Sequence, residues 1–361
     1  MIPDCTLVTC CFILSKYNDK SRDIHESIQN MEPLLQVPCY LVIFCDSLSI
    51  NKIKEIREKY HPSELTFYVE KELNELENFS YVDLIRRNRE IYHPTKDERT
   101  CPESHFICCS KFEMVLKTME INPFQTKKFG WIDANVRPNF EKISTNYSKN
   151  ILLNVLHNCS DKFNLQILNV VDKKFKEEKN KKEFYQNYQW IVCGCLFITT
   201  KDIGKRILTR LKEIFLKTTE QGFGHGEEMF YLEVLDEFHE DINRSYGDYN
   251  SILNNFVKQT EQFEYIYFQI IQKYLQYGYH KECIDCCEKL LITIENDHKQ
   301  VNTEIYFNIL FAYYISNYYV NIKKAKLIVK QIRLLIEINP SIKEIYCKNT
   351  SFYEQQLSFV N

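Results

Sequence analysis

The sequence predicts an α/β domain with a mixed, mainly parallel sheet, followed by an all-α region of helical hairpins. Short apolar runs alternate with amphipathic helical segments as far as residue 257, which is the order of elements in α/β folds. From about residue 259 onward only helical spacing remains. The chain has 8 glycines and 9 prolines in 361 residues, too few for a turn-rich all-β protein. We therefore expect an α/β domain at residues 1–257 and a helical-repeat domain at residues 258–361.

The start of the chain has the order strand, helix, strand, helix, strand. Continuous apolar runs at residues 6–14, 40–45 and 65–69 predict strands that are buried on both faces. Residues 22–35 and 50–60 between them have the spacing of amphipathic helices. Because helices separate the strands, the three strands are expected to be parallel and joined by right-handed crossovers.

The alternation continues through the rest of the first domain. Helices are predicted at residues 108–121, 202–219 and 229–238, and the longest strand at residues 190–199. Residues 129–135 form a short apolar strand that runs into a polar tip, and the segments at 151–157 and 165–171 continue the pattern. A glycine-rich loop at residues 222–228 precedes the last of these helices.

The second domain consists of helix pairs. Residues 268–277 and 281–294 form one predicted antiparallel pair, and residues 305–315 and 322–338 form another. The two pairs repeat at a period of about 40 residues and resemble tetratricopeptide-type repeats. Residues 342–357 are expected to form a closing helix, and the repeat surface could bind a protein partner.

Charge and cysteine content limit the class of protein. There are 46 basic and 49 acidic residues, so the net charge of −3 gives no general reason to expect a nucleic-acid partner or an anionic-membrane surface. No run of about 18 uncharged apolar residues is present, so no transmembrane segment is expected. The first residues do not have the pattern of a signal peptide, and we expect a cytoplasmic protein whose 15 cysteines are mostly reduced.

The polar tip after the strand at 129–135 is the strongest candidate site. Asp133 and Asn135 lie one residue apart, and alternate residues of an extended chain face the same way. Both side chains could therefore enter the crevice at the carboxyl edge of the sheet, where α/β proteins bind ligands. Their oxygen atoms suit a divalent cation that also binds a nucleotide diphosphate. The alternative is an ordinary turn, in which Asp and Asn are common.

An ordered set of short segments resembles the HtrL/YibB family, whose members are similar to glycosyltransferases with the GT-A fold. The segments are residues 6–12, 41–46, 111–112, 122–124, 129–135, 226–228 and 246–249, so the resemblance covers about residues 4–257. It implies a nucleotide-diphosphate sugar as donor, a UDP-sugar being expected, and a sugar or protein as acceptor. It also implies that Asp133 and Asn135 stand at an Asp-x-Asp motif that binds Mn²⁺ or Mg²⁺, with neutral Asn135 in place of the second Asp.

The same resemblance implies donor-binding roles for residues before this motif. Thr9, Tyr17 and Asp46 would line the nucleoside pocket, although Asp46 could instead cap the helix that follows it. Arg22 could pair with phosphate or be a surface charge. Lys111 belongs to a Lys-Phe pair of the family pattern and could reach the diphosphate, or it could be a solvated lysine.

The glycine-rich loop and the strand before it supply the remaining candidates. Gly194, in a strand interior, indicates a close approach by substrate. Glu227 or Glu228 could act as general base toward an acceptor hydroxyl, or simply favour the helix N-terminus that follows. His225 is a candidate metal ligand, and Asp248 could contact the donor sugar or cap a helix.

These observations predict a hexosyltransferase-like glycosyltransferase. It would move a sugar from a nucleotide diphosphate to an acceptor hydroxyl, with a metal held by Asp133 and Asn135 and with catalysis by Asp133, Glu227 or Glu228. The alternative is a non-catalytic helical-repeat interaction protein whose first domain is a degenerate nucleotide-sugar-binding domain, since Asn135 is a weaker metal ligand than a carboxylate.

Overall fold

A computed structural model describes residues 2–92, 97–135, 149–223, 226–247, 252–253, 256, 263–297 and 301–358. Its centre is a seven-stranded sheet in the order β3-β2-β1-β4-β6-β5-β7. The strands are β1 (Cys5–Cys11), β2 (Tyr40–Cys45), β3 (Thr66–Glu70), β4 (Lys128–Ile132), β5 (Phe163–Ile167), β6 (Val192–Thr200) and β7 (Ile242–Tyr246). All neighbouring strands pair in parallel except β6, which is antiparallel to both β4 and β5. The predicted fold class, a mixed and mainly parallel sheet followed by an all-α region, is confirmed.

Eight helices accompany the sheet in the described residues. They are α1 (Ile24–Leu35), α2 (Ile50–Tyr60), α3 (Tyr81–Ile91), α4 (Pro102–Ile121), α5 (Lys149–Asn158), α6 (Lys181–Gln186), α7 (Lys201–Glu220) and α8 (Tyr231–Glu237). Strands β1 and β2 are buried on both faces and share a core with α1, α2 and α5. Strand β3 lies at the edge of the sheet and only Thr66 in it is buried, so the prediction that it is buried on both faces is wrong. Helices α4 and α7 pack against each other and supply further buried apolar side chains. This arrangement leaves the carboxyl ends of β1 and β4 as the place for a site.

A buried arginine fixes the entry to β2. Arg57 of α2 is 1% exposed, and its guanidinium donates hydrogen bonds to the carbonyl oxygens of Leu35, Val37 and Cys39 at 2.7–2.8 Å. Its Nε also donates to the hydroxyl of Thr66 at the start of β3. A buried charge is tolerated where its donors are satisfied in this way. Arg57 of α2 therefore links the end of α1, the segment before β2 and the start of β3.

The structure departs from the predicted elements at several places, among them the short helices α3 and α6, which were not predicted as separate elements. Helix α4 begins at Pro102, six residues earlier than expected, and strand β7 was not predicted. The expected closing helix at residues 342–357 is divided at Asn349 into α13 (Pro340–Lys348) and α14 (Thr350–Leu357). The other predicted strands and helices are present with shifts of a few residues at their ends.

The chain divides into two compact units. One unit contains residues 1–169 and 174–258, and the other contains residues 170–173 and 259–361. The second unit is formed by α9 (Phe263–Gln276), α10 (His280–Asp297), α11 (Thr303–Val320), α12 (Ile322–Ile338), α13 and α14. Gly278, between α9 and α10, has φ +71°, a left-handed conformation that glycine adopts at low cost. No helix in the described ranges is both long and apolar enough to cross a bilayer.

Candidate functional site

The candidate site lies where β4 ends. Asp133 is the first residue after β4, and its backbone N–H donates to the carbonyl of Cys195 on the antiparallel neighbour β6 at 2.9 Å. A cavity of about 190 Å³ opens beside it. Its lining residues are Cys10, Cys11, Phe12, Leu14, Ser27, Ile107, Cys108, Lys111, Trp131, Asp133, Ala134 and Asn135. The site therefore combines the ends of β1 and β4 with one face of α4.

Lys111 is a buried cation at the centre of this site. Its side chain is 2% exposed, and its ammonium forms an ion pair with the buried carboxylate of Glu227. The same nitrogen donates to the carbonyl of Gly194 at 2.9 Å and lies 3.5 Å from Oδ1 of Asp133. The ring centroid of Trp131 lies 5.4 Å from it, within the range of a cation–π contact. The structure thus buries Lys111, so the solvated alternative is wrong, and the expectation that Lys111 reaches a diphosphate stays a prediction.

The charge of Lys111 is maintained by its neighbours. Burial alone would lower the pKa of this ammonium, but the carboxylates of Asp133 and Glu227 outweigh burial and raise the pKa well above its ordinary value. Lys111 and Glu227 therefore compensate each other, and Asp133 contributes a further negative charge. With these three groups ionised, the site carries one net negative charge.

The two carboxylate oxygens of Asp133 differ in their hydrogen bonding. Its Oδ1 accepts hydrogen bonds from Nε1 of Trp131 and from Lys111. Within the described residues no hydrogen-bonding partner contacts Oδ2, and the side chain is 41% exposed. Asn135 is exposed and lines the same cavity. However, β4 ends at Ile132, and Ala134 and Asn135 lie in a turn, so the expectation of an extended chain through Asn135 is wrong and the turn alternative is observed. A carboxylate and an amide oxygen beside a net negative charge are a donor set that fits a hard divalent cation.

The protein alone supplies few metal ligands. The described part of the chain contains no cluster of three His, Cys, Asp or Glu side chains suited to a metal ion. A cation at Asp133 and Asn135 would therefore need further oxygen ligands from water or from a bound phosphate. His225, the other predicted ligand, lies outside the described residues, as does Asp248.

Position 194 has no room for a side chain because the carboxylate of Glu227 packs against it. A Cβ atom at this position would collide with Oε1 of Glu227 and would lie 3.3 Å from Cγ of Glu228. The absence of a side chain lets Glu227 reach Lys111 beneath β6. The sequence predicted that substrate approaches Gly194 closely, but in the structure the side chain of Glu227 occupies this space.

Glu228 lies next to this ion pair in a different environment. Burial raises the pKa of its carboxyl group to about 8, and the negative charge of Glu227 acts in the same direction. The hydroxyl of Tyr188 donates to Oε2 of Glu228 at 3.1 Å. Glu228 is therefore largely protonated at neutral pH and titrates close to it.

Two partly exposed aromatic side chains stand beside Glu228. Trp190 is 52% exposed, Tyr188 is 37% exposed, and their rings meet edge to face at a centroid distance of 5.6 Å. Tyr188 was not singled out from the sequence, because a lone tyrosine in a polar stretch has no periodicity that distinguishes it. Its hydrogen bond to Glu228 identifies it here.

Other predicted donor-binding residues have different surroundings. Asp46 is completely buried, and its carboxylate accepts hydrogen bonds from the backbone N–H groups of Ile13 and Ser49 and from the hydroxyl of Ser49, at 2.8–3.0 Å. These contacts tie the chain after β1 to the start of α2. Thr9 is also buried, and its hydroxyl has no hydrogen-bonding partner in the described structure.

Tyr17 and Arg22 lie outside the lining of the cavity at Asp133. Tyr17 is 39% exposed and lines a separate depression of about 920 Å³ beside α3 and the start of α4. Arg22 forms an ion pair with Glu26 of α1 at 3.2 Å. The structure therefore brings together Asp133, Asn135, Lys111, Gly194, Glu227 and Glu228, and it places Tyr17 and Arg22 elsewhere.

Comparison with solved structures yields distant likenesses, among them the following two. The apo structure of mouse xyloside xylosyltransferase 1 matches with a TM-score of 0.33 at 8% identity, over 68% of this chain and 85% of that chain. A 4-diphosphocytidyl-2C-methyl-D-erythritol synthase from Anaerococcus prevotii matches with a TM-score of 0.34 at 14% identity, over 75% of this chain and 96% of that chain. Both likenesses are too distant to bear on activity.

No family model and no curated protein matches the sequence. Membership of the HtrL/YibB family therefore stays a prediction.

Proposed function

We propose that this chain is a glycosyltransferase that moves a sugar from a nucleotide-diphosphate donor to an acceptor hydroxyl. The observation that carries the proposal is the buried Lys111–Glu227 pair beside the half-exposed carboxylate of Asp133, at the carboxyl end of β4. Ligands of α/β sheets bind at this edge, and perturbed ionisable groups in a cleft are typical of active sites. The domain at residues 1–257 would bind the donor, and the helical region at 258–361 would be accessory.

The donor diphosphate would bind in the cavity at Asp133. Asp133 and Asn135 would hold Mn²⁺ or Mg²⁺, and the metal would stabilise the negative charge that develops on the leaving diphosphate. Lys111 adds a fixed positive charge 3.5 Å from Oδ1 of Asp133. Because Glu227 and the carbonyl of Gly194 hold that ammonium in place, its position needs no adjustment during the reaction.

The acceptor would bind on the side of Glu228. In the transfer step the acceptor oxygen forms a bond to the anomeric carbon, the bond from that carbon to the diphosphate oxygen breaks, and the acceptor proton passes to the Glu228 carboxylate. Since the pKa of Glu228 is raised to about 8, its carboxylate is a stronger base than an ordinary glutamate. Only the ionised fraction can accept the proton, so the rate of transfer should rise as pH increases toward 8. The exposed rings of Tyr188 and Trp190 offer an apolar face against which the acceptor could pack.

Donor binding can be tested with the protein's own fluorescence. The chain has 2 tryptophans, of which Trp131 lies in the donor cavity and Trp190 is exposed. Trp190→Phe leaves Trp131 as the only reporter. We expect UDP or a UDP-sugar with Mn²⁺ to change its fluorescence and to raise the melting temperature, and Asp133→Ala to remove both effects.

Turnover needs a separate measurement. A panel of nucleotide sugars incubated with the protein and Mn²⁺ should reveal one whose hydrolysis depends on Asp133. If no nucleotide changes the fluorescence or the melting temperature, the first domain is not a nucleotide-sugar site and the interaction-protein alternative holds.

A further inference from the structure

The outward face of α12 is apolar although it faces solvent. Leu327, Leu334 and Ile338 are 57%, 54% and 65% exposed. With 3.6 residues per turn, these three side chains fall within a strip of roughly 40° on the helix surface. We call them the α12 stripe. The opposite face of the same helix carries the buried residues Ala325, Ile328, Val329 and Ile332. Helix α12 is therefore apolar on two opposite sides, only one of which is buried.

Basic side chains flank the α12 stripe. The helix contains five basic residues and a single acidic one, Glu337, and all five basic residues are exposed: Lys323, Lys324, Lys326, Lys330 and Arg333. Arg333 pairs with Glu354 at 3.5 Å. Within the described ranges, the four lysines form no ion pair. On the helix surface Lys323 and Lys330 lie on one side of the stripe and Lys324 lies on the other. A chain with a net charge of −3 thus concentrates positive charge around one exposed apolar strip.

Two further apolar side chains are exposed near the start of the helix. Val320, the last residue of α11, and Ile322, the first residue of α12, are 47% and 44% exposed. Ile322 lies on a different side of α12 from the α12 stripe. Asn321 between them caps α12, since its side chain accepts a hydrogen bond from the backbone N–H of Lys324. Helical-repeat stacks ordinarily present a polar outer face at such positions, so this apolar surface indicates a binding partner.

We propose that the outer face of α12 binds the surface of an anionic lipid bilayer. A single helix with an exposed apolar midline and lysines on both sides matches the pattern of helices that lie in a membrane interface. The α12 stripe would enter the boundary between headgroups and acyl chains, while the lysine stems would extend along apolar surface and place their ammonium groups among anionic headgroups. A second copy of the chain fits this face poorly, because a symmetric dimer contact would bring two lysine-rich faces together. The inference does not depend on the proposed activity of the first domain.

The test uses the full chain and vesicles. The protein is sedimented with vesicles of phosphatidylcholine alone, and with vesicles of phosphatidylcholine and phosphatidylglycerol, at low and at high salt. We expect binding to the anionic vesicles only, and weaker binding at high salt because ions screen exposed charges.

Two variants separate the apolar and the electrostatic contributions. Leu327→Gln/Leu334→Gln/Ile338→Gln makes the α12 stripe polar at exposed positions, and Lys323→Glu/Lys330→Glu reverses two flanking charges. Each should weaken partitioning by about tenfold or more. The matched control Lys52→Glu/Lys205→Glu makes the same charge change on exposed positions of α2 and α7 and should leave partitioning within about twofold.

Several results would overturn the proposal. They are equal binding to neutral and anionic vesicles, no binding to either, or equal loss in the control and the α12 variants. Light scattering during size-exclusion chromatography tests whether the α12 stripe instead binds a second copy of the chain. A dimer that the glutamine variant abolishes would assign the α12 stripe to that contact and overturn the proposal.

Discussion

Lys111 and Glu227 form a buried ion pair whose two halves depend on each other. Removing one partner of such a pair leaves an uncompensated buried charge, which is destabilising by about 3–5 kcal/mol. We therefore expect Lys111→Met to lower the free energy of unfolding of the full chain, measured with urea, by about that amount. The double variant Lys111→Met/Glu227→Gln should recover part of the loss, because the orphaned carboxylate is gone.

The control for this prediction lies on the same helix. Lys117 is exposed and pairs with Glu120, so Lys117→Met should change the free energy of unfolding by no more than about 1 kcal/mol. An equal loss in the two lysine variants would mean that Lys111 is not buried with its carboxylates as the structure shows.

Gly194 allows the same ion pair to form. An alanine there would push against a Glu227 carboxylate that Lys111 holds in place, and overpacking of this kind costs about 1–3 kcal/mol. We expect Gly194→Ala to destabilise the protein by this amount. Combining it with Glu227→Ala removes the colliding group, so the two losses should be less than additive in a double-mutant cycle. Strict additivity would contradict the contact.

Glu228 makes stability depend on pH. Its pKa is raised to about 8 in the folded protein from an ordinary value of 4.5, so between these values the folded state holds a proton that the unfolded chain releases. The free energy of unfolding should therefore fall as pH rises from about 5 to about 8, and this contribution should level off above that range. In Glu228→Gln the contribution is absent, and the difference between the two urea-unfolding curves isolates it from all other groups.

Tyr188 supplies an independent check on the titration of Glu228. Its hydrogen bond lowers the pKa of Glu228, opposing the effect of burial, so Tyr188→Phe should raise that pKa further. The decline in stability should then extend to higher pH than in the unaltered protein. A slope that is the same in all three proteins would show that Glu228 titrates in its ordinary range.

Sequence reasoning found most of the residues at the site for a physical reason. Asp133 follows an apolar strand, Gly194 interrupts one, and Glu227 follows a glycine-rich loop, so each stands out against its local pattern. Tyr188 carries no such contrast. The pairing of Lys111 with Glu227 joins residues 116 positions apart, and no local pattern encodes that contact. The roles of these residues in a reaction stay predictions.

At the scale of elements, three helices of the second unit, α11, α12 and α13, begin at an asparagine whose side chain caps the helix. The side-chain oxygen of Asn302 accepts hydrogen bonds from the backbone N–H groups of Glu304 and Ile305 at the start of α11. Replacing a cap of this type by alanine costs about 0.5–2 kcal/mol. We expect Asn302→Ala to lower the free energy of unfolding within this range and Asn302→Asp to preserve it. Equal losses in the two variants would show that the side-chain oxygen is not the stabilising group.

Strand β7 shows why one element was missed. It has the sequence Ile-Asn-Arg-Ser-Tyr and a regular alternation of burial, but its central inward residue is Arg244. Arg244 is buried because its guanidinium donates to the carbonyl oxygens of Leu235 and His239. An arginine breaks the apolar alternation that identifies a strand, and only the tertiary partners explain its burial.

Helix α4 was predicted, but its first residue was placed too late in the chain. Pro102 occupies the first turn, where the missing N–H costs nothing, and Cys101 with Ser104 forms the cap. The early turns carry buried Glu103 and His105 among apolar residues, which obscures the helical period that is clear from residue 108 onward. Apolar spacing thus predicts the existence of a helix better than its first residue.

At the scale of the whole molecule, residues 170–173 belong with the helical unit although they lie far from it in sequence. Lys173 donates to the carbonyl of Gly278 at 2.6 Å and lies 4.6 Å from the ring centroid of Tyr279. Residues 1–257 expressed alone would lack these partners. We expect that fragment to keep the fluorescence response of Trp131 to UDP but to melt at a lower temperature than the full chain. An insoluble fragment, or one without nucleotide affinity, would show that the helices complete the donor site.

The net charge of the sequence does not show how charge is distributed over the surface. A net charge of −3 is the sum of 46 basic and 49 acidic residues and does not reveal where they lie. Only the helical register of α12 separates its buried side from the exposed lysines and leucines, and that separation needs the positions of the neighbouring helices. Composition can therefore exclude a uniformly basic protein but cannot exclude a local basic face.

The reversed direction of β6 has a consequence for how this protein can change over evolution. In an all-parallel sheet, the edge that holds the ligand is built from loops, which tolerate insertions. Here the carbonyls of Gly194 and Cys195, which contact Lys111 and the backbone of Asp133, belong to a strand whose partners are fixed from Leu196 to Thr200. Deleting one residue in this stretch would turn each following side chain to the opposite face. Homologous chains should therefore vary in length in the loops around β6 and keep a constant number of residues from Gly194 to Thr200.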